Sequence, residues 1–419
     1  MPWSIGERHA FHSPVPMKAR SSSGQTEELA ALGDLSVDCV SLSVSVSDCA
    51  SRLSQSVRAH VYDRIRRTAD HVVECTSRVI SRYGLGTPRI CITLSPVSRI
   101  TAAHHAEDFA RLADTLEAAA RDVGAKSLYG LTAFPAADPD IDPGPLVSTL
   151  RTTLASCEAL RAVIGIASTS SGLHAEALLG AADAVGNLSR TGNSPISPAA
   201  RLVFGANLDP GAWMHDGSIH WTGAHQASLN ISVNAGSAVH APGTQSPEEW
   251  TNESPAEQLR RTGARLSSLG RSITRTICAD LECLGGAVVM PGRAAVLSRS
   301  VSSLGASQVD AGSAHTGEVL QGGLDGHLVR RNLADGAAVV AGPPTPIYGS
   351  VCCKDAVVPM PPGSGVDQIA TRLGELLRHA CASGSAAAFT VVPSGQVVAS
   401  APPDHSSRGR TIAAVSGPA

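Results

Sequence analysis

From residue 35 onward the chain switches between two hydrophobic periods. Leu35 to Val46 sets apolar residues against serines at every second position, which predicts a strand with one buried face. Val57, Val61, Ile65, Val72, Val73, Val79 and Ile80 then recur at helical spacing and predict one helix running to Tyr83, with Gly84 as its C-cap. Arg89 to Leu94 reads as a strand stopped by Ser95-Pro96, and a second amphipathic helix over about 105–123 ends at Gly124. The alternation goes on with strand 126–131, helix 145–160, strand 161–167, helix 173–187, strand 201–206 and strand 227–233. A helix over 255–284, a short strand at 286–290 and a helix at 293–304 follow. Strands near 337–341 and 348–358, helix 365–382 and strand 386–392 complete the pattern.

Repeated β-α units imply parallel strands with the helices outside, and no linker divides them. The expected organisation is a poorly ordered leader over 1–34, a single closed or nearly closed α/β barrel domain over 35–395 with a polar loop at 240–254, and a loose tail over 396–419. Composition narrows the function classes. With 43% hydrophobic residues in 419, the chain can build a large core. Its formal charge of -3 comes without a basic block, which argues against nucleic acid as a partner. No stretch reaches the roughly 20 apolar residues that span a bilayer, and Met1 to Lys18 lacks a signal-peptide core, so the expected setting is cytoplasmic and away from membranes. Ten cysteines contain no Cys-x-x-Cys pair, and adjacent Cys352 and Cys353 are read as reduced thiols, with a redox switch as the alternative.

Candidate chemistry gathers where strands hand over to helices, because parallel α/β folds carry their functional groups at that rim. The polar residues at these ends are Asp48, Ser95, Ser98, Thr132, Ser168, Thr169, Asn207, Asn230, Asn234 and Asp355. Such groups orient polar substrates, although Ser, Asn and Asp also end strands for turn geometry alone. Asp48 and Asp355 each follow an apolar stretch, where a partly desolvated carboxylate can act as general base, metal ligand or simple N-cap. The densest cluster is Trp213, His215, Asp216, His220, Trp221 and His225 within one Gly-containing connection. Spacing of five rules out the helical His-x-x-x-His zinc pattern, but a loop can still gather imidazoles and an indole can tune one toward neutrality. The phosphate loop, the dinucleotide fingerprint and the serine-hydrolase elbow are all missing, so no nucleotide cofactor is expected.

These pieces resemble the domain-of-unknown-function family 711, also called uncharacterised protein family 0210. The likeness rests on Val46-Ser-Asp48-Cys49, Ile92 to Ser98, Ile166 to Gly172, Leu202 to Asn207, Asn230 to Gly236, and Val351-Cys-Cys-Lys-Asp355 through Val391-Val-Pro393, in family order. The resemblance implies a ten-stranded α/β barrel of the pyruvate formate-lyase and ribonucleotide reductase type. It also implies that Asp48, Ser95, Ser168, Thr169, His220, Asn230 and Asp355 face the barrel mouth. Radical chemistry is not expected, since no glycyl-radical loop is recognisable. The chain departs from the family pattern around 322–346, which lacks an acidic cluster, and after 286–290, where an Asp is replaced near Met290-Pro291. With extra histidines at 215–225, this fits a paralogue recruited to another substrate in specialised metabolism.

The function expected is therefore a small-molecule enzyme using general acid–base chemistry, of lyase, isomerase or hydrolase type. In it His220, assisted by His215 or His225, moves a proton. Asp48 or Asp355 orients the imidazole or serves as the second acid–base group, and Ser95, Ser168, Thr169, Asn207, Asn230 and Trp213 bind the substrate. The alternative is a non-catalytic small-molecule binder or partner subunit. A divalent metal is left open, and a homodimer is expected on frequency alone.

Overall fold

A computed structural model describes residues 35–100, 105–138, 140–190, 198–208, 213–214, 217–220, 225–234, 255–298, 320–322, 328–329, 354–361, 363–384 and 386–393. The leader, the 240–254 loop, the strand near 337–341, His215, Cys352–Cys353 and the tail lie outside the described residues.

The strands are β1 (Ser36–Val44), β2 (Arg89–Leu94), β3 (Ser127–Ala133), β4 (Leu160–Ser168), β5 (Gly172–Leu173), β6 (Leu202–Ala206), β7 (Trp213–Met214), β8 (Gly217–Ser218) and β9 (Ala227–Asn234). They continue with β10 (Met290–Ser298), β11 (Leu320–Gly322), β12 (Leu328–Val329), β13 (Lys354–Met360) and β14 (Ala387–Pro393). The helices are α1 (Ser54–Ala69), α2 (Val72–Arg82), α3 (Val97–Ile100), α4 (Ala106–Asp122), α5 (Gly144–Ser156), α6 (Ala175–Leu188), α7 (Pro255–Cys283) and α8 (Val366–Ala382).

Nine strands form the main sheet in the order β10-β9-β1-β2-β3-β4-β6-β14-β13, with the β11–β12 ribbon beyond β10. β1, β2, β3, β4 and β6 are mutually parallel, as expected of consecutive β-α-β units. The flanks run the other way. β9 is antiparallel to β1 and β14 is antiparallel to β6, while β10 and β13 are parallel to β9 and β14 respectively. A sheet parallel throughout was expected, and two direction reversals correct that. Among the described residues the sheet is open between β12 and β13.

The helices put their apolar stripes into one core with one face of the sheet. Val57, Val61 and Ile65 of α1, Leu112 and Leu116 of α4, and Ile273 and Ile277 of α7 share that core with Val40, Leu42 and Val44 of β1. Gly84 and Gly124 end their helices at φ of +69° and +70°, a left-handed turn that glycine adopts without strain. Glu117 of α4 ties this layer to the sheet, accepting hydrogen bonds from the backbone N–H groups of Glu158, Ala159 and Leu160 at 3.0–3.1 Å.

Two elements differ from the expected pattern. The helix predicted over 57–83 is two helices, because His71 takes φ of 60° and turns the chain at Asp70–His71. Over the described residues, β10 begins only at Met290 and runs to Ser298, in place of the predicted strand 286–290 and the start of the predicted helix 293–304. Pairing with β9, rather than local spacing, decides that stretch.

Candidate functional site

The second face of the sheet carries the unexpected chemistry. β1 was expected to bury one face only, yet Ser41 and Ser43 are as buried as Leu42. The cover is the connection between β6 and β9. Its β7–β8 hairpin and the residues after it lie over the face opposite the helices, where Ile219 packs with Cys39, Cys91, Tyr129, Val163, Val203 and Ala388. The approach is close. A Cβ at Gly217 would sit 2.9 Å from Cys91 Sγ and 3.2 Å from Ser41 Oγ, so the backbone can lie there only without a side chain.

Ser218 is bonded on several sides. Its N–H donates to Ser41 Oγ at 3.2 Å, and its hydroxyl lies 3.2 Å from Ser43 Oγ and 3.3 Å from Ser41 Oγ. Asn230 of β9 completes the network. Its amide donates to Ser218 Oγ at 2.8 Å and Ser43 Oγ at 3.1 Å, and its oxygen accepts from the Arg293 N–H at 2.8 Å. Ser41 reaches Thr93 of β2 at 3.4 Å. Small hydroxyls and one amide can be buried this way because they satisfy one another.

His220 follows two residues after Ser218. It is only 4% exposed, and its Nε2 has no hydrogen-bond partner among the described residues. Burial, with the nearby His225 adding to it, pushes its pKa down to about 4. The expectation that this imidazole titrates near neutrality is thus corrected: it is neutral at pH 7. His225 is exposed.

The rim predicted from strand ends exists for the five central strands, and its residues behave differently from one another. Asp48 was expected to be partly desolvated, but its side chain is 51% exposed and paired with Arg64 of α1. Arg64 also donates to Gln226 Oε1 at 2.6 Å and to the Ser45 carbonyl at 3.3 Å, fastening the chain just after His225 to the end of β1. Ser95 is fully buried and accepts from the Val46 N–H at 3.0 Å. Ser168 bonds to Ser171 Oγ at 2.6 Å within the loop after β4. Exposed Thr169 donates through its N–H to Asn207 Oδ1 at 2.6 Å, and Asn207 holds φ of 50° at the end of β6. Asp355 does not end its strand as expected. It is the second residue of β13, at the same rim by register through Ala388 and Gly205. Trp213 opens β7.

Arg64, Ser41, Ser43, Thr93 and Ser218 were not foreseen. Only the choice of serine, rather than charged residues, on the polar side of β1 hinted at them. Among the described residues no three His, Cys, Asp or Glu side chains are grouped to hold a metal, and no helix is long and apolar enough to cross a membrane. A surface groove of about 410 Å3 lies between α5 and α6 on the helical side and is not lined by His220.

A mostly parallel sheet with helices on one face and a polar connection buried on the other defines an α/β protein. The chain matches the family model described as uncharacterised ACR (DUF711) over residues 30–288, and it belongs to that family. It is 24% identical over 242 residues to a UPF0210 protein of Halothermothrix orenii, covering 58% of this chain and 53% of that protein. A UPF0210 protein of Pelobacter propionicus is 24% identical over 255 residues, covering 60% and 56%. The chain spans about half the length of the curated relatives it matches.

Proposed function

We propose that the chain is a small-molecule enzyme whose working group is His220. One observation carries this reading: a buried imidazole nitrogen with no partner among the described residues. A polar atom removed from water costs free energy unless something bonds it, so an orphan of this kind calls for an occupant. A ligand hydroxyl, amide or carbonyl beside Nε2 satisfies it. Because the imidazole is neutral, its role is proton acceptor or neutral hydrogen-bond donor, not imidazolium acid. A base of pKa about 4 is weak at pH 7, and negative charge developing on a bound ligand raises it. The hydroxyls of Ser168 and Thr169 at the rim are the candidate substrate contacts, and Asp48 acts through Arg64 and Gln226 rather than on a substrate. The setting proposed is cytoplasmic, and the chain is proposed to pair as a homodimer.

Native mass spectrometry of the full chain with a panel of small polar metabolites, followed by turnover of those retained, tests the reading. His220→Gln is expected to lower turnover by roughly 100- to 10,000-fold, the range of a lost proton-transfer group, with little change in Tm at pH 7. Undiminished turnover ends it. The depressed pKa also favours a second reading, a non-catalytic binder, since such an imidazole stays neutral across the physiological range. A metabolite retained by His220 and never converted selects that reading.

We further propose that the sheet closes into the ten-stranded barrel that the family resemblance implies. The argument is directional. β10 and β13 both run against the central five, and the short β11–β12 ribbon already continues the sheet beyond β10 toward the open side. Six strand spacings separate β1 from β13, roughly 29 Å across an open sheet at about 4.8 Å each. Closure brings Asp48 and Asp355 to roughly 20 Å, because the path across a ring is shorter than the path along it. Electron–electron distance measurement on Asp48→Cys and Asp355→Cys, spin-labelled, separates the two values.

A further inference from the structure

Asn230, expected to bind substrate, uses both of its amide hydrogens inside the protein, on Ser43 of β1 and Ser218 of β8. Its oxygen takes the Arg293 N–H where the β9–β10 register slips between Pro291 and Ala294. At Gly292 a Cβ would lie 2.3 Å from that oxygen, so the backbone there is shaped around the amide. One side chain therefore links β1, β8, β9 and β10. The segment it fastens is the one that bears His220, two residues beyond Ser218, and Gly217 gives that segment no clearance to shift toward β1 and β2.

We infer that Ser218 and Asn230 are positioning residues for His220: their hydrogen bonds to Ser43 and Arg293 dock residues 217–220 on the inner face and keep the imidazole dry with Nε2 unengaged. The inference rests on the reading of His220 as the working group for its functional weight, and on the network alone for its geometry. The two anchors act at different points. Arg64 holds the chain at Gln226, beyond His225, whereas Ser218 and Asn230 hold it ahead of His220. Losing the second pair frees the buried side while the exit stays fixed. Water then reaches the ring, and the burial that disfavours its charged form is relieved.

The test needs no substrate. The side-chain NMR titration of His220 is followed in the full chain as wild type, Ser218→Ala, Asn230→Ala and Leu150→Ala. Leu150 is fully buried on α5 in the helical layer, so its truncation destabilises without touching the network. The wild type is expected to titrate near 4, both network variants at least one unit higher, toward 6.5, and Leu150→Ala where the wild type does. Where Asn230→Ala does not fold, Ser43→Ala removes one of the two acceptors of the same amide and takes its place. The inference is overturned if Ser218→Ala and Asn230→Ala lower Tm while His220 still titrates near 4. It is overturned equally if Leu150→Ala moves the titration as far, or if the wild type titrates near 6.5. Turnover that survives His220→Gln removes the catalytic reading and leaves the titration result standing, so the two failures are distinct.

Discussion

Acidification from pH 7 to pH 4 is expected to cost the folded protein about 3 kcal/mol through His220. The folded-state pKa is about 4 and the ordinary value, carried by the unfolded chain, is 6.5. Between those values the unfolded chain binds the proton and the folded one does not, so stability falls as pH falls across that window. The stabilisation relative to the charged form is present above 6.5, and the loss levels off as pH falls below 4. At 1.36 kcal/mol per pKa unit, a shift of about 2.5 units gives about 3 kcal/mol. Urea unfolding at a series of pH values, wild type against His220→Gln, reads the effect directly. The variant should have the flatter curve between pH 6.5 and 4, since glutamine does not titrate. Parallel curves would show that the imidazole is not held away from water.

Truncating Phe389 to Ala is expected to destabilise the protein by about 4 kcal/mol, within the range for a buried aromatic. Phe389 on β14 is 1% exposed and lies directly across from Phe204 on β6, at the junction where the sheet changes direction. Four residue pairs form that antiparallel junction, Ala387↔Ala206 to Thr390↔Val203. The two rings therefore make up much of its side-chain contact on the helical face, and a cavity there loosens β13 and β14 together. Hydrogen exchange should show the loss concentrated in residues 354–360 and 387–393, with β1 to β4 still protected. Destabilisation below 1 kcal/mol, or exchange raised evenly over the sheet, contradicts this account. Phe389→Leu should fall between the wild type and the alanine variant.

Much of the central unit was legible because each element announced itself locally. α4 places Phe109, Leu112 and Leu116 on one stripe, and β2 is an apolar run closed by Ser95-Pro96, so neither needed tertiary information. The turn at His71 carries no glycine or proline, and a left-handed histidine is not a signal that spacing reveals. β10 was hidden for another reason. Its Pro-Gly-Arg-Ala-Ala sequence becomes a strand only because β9 lies beside it. The direction reversals were equally invisible, since alternation along the chain says nothing about the sense in which distant strands meet.

For the site, the histidine-bearing connection was legible as a cluster and its depth was not. His220 was singled out by the company of its neighbours, while the state of its ring depends on burial that only the folded inner face supplies. Ser41 and Ser43 misled because period-two serines read as a wetted face. A hydroxyl is small enough to be buried once Ser218 and Asn230 satisfy it. Asp48 misled in the opposite sense, its apolar approach ending at an exposed ion pair with Arg64.

The distance in sequence between β1 and its neighbour β9 governs the order in which the molecule can assemble on the ribosome. Ser43 meets Asn230 only after 187 further residues have been made, about 10 to 40 s at typical elongation rates. The five central strands, each joined to the next by a nearby crossover, can pair while the nascent chain is still growing. Throughout that interval the side of β1 that later pairs with β9 is an open strand edge, the kind of surface on which nascent chains associate wrongly.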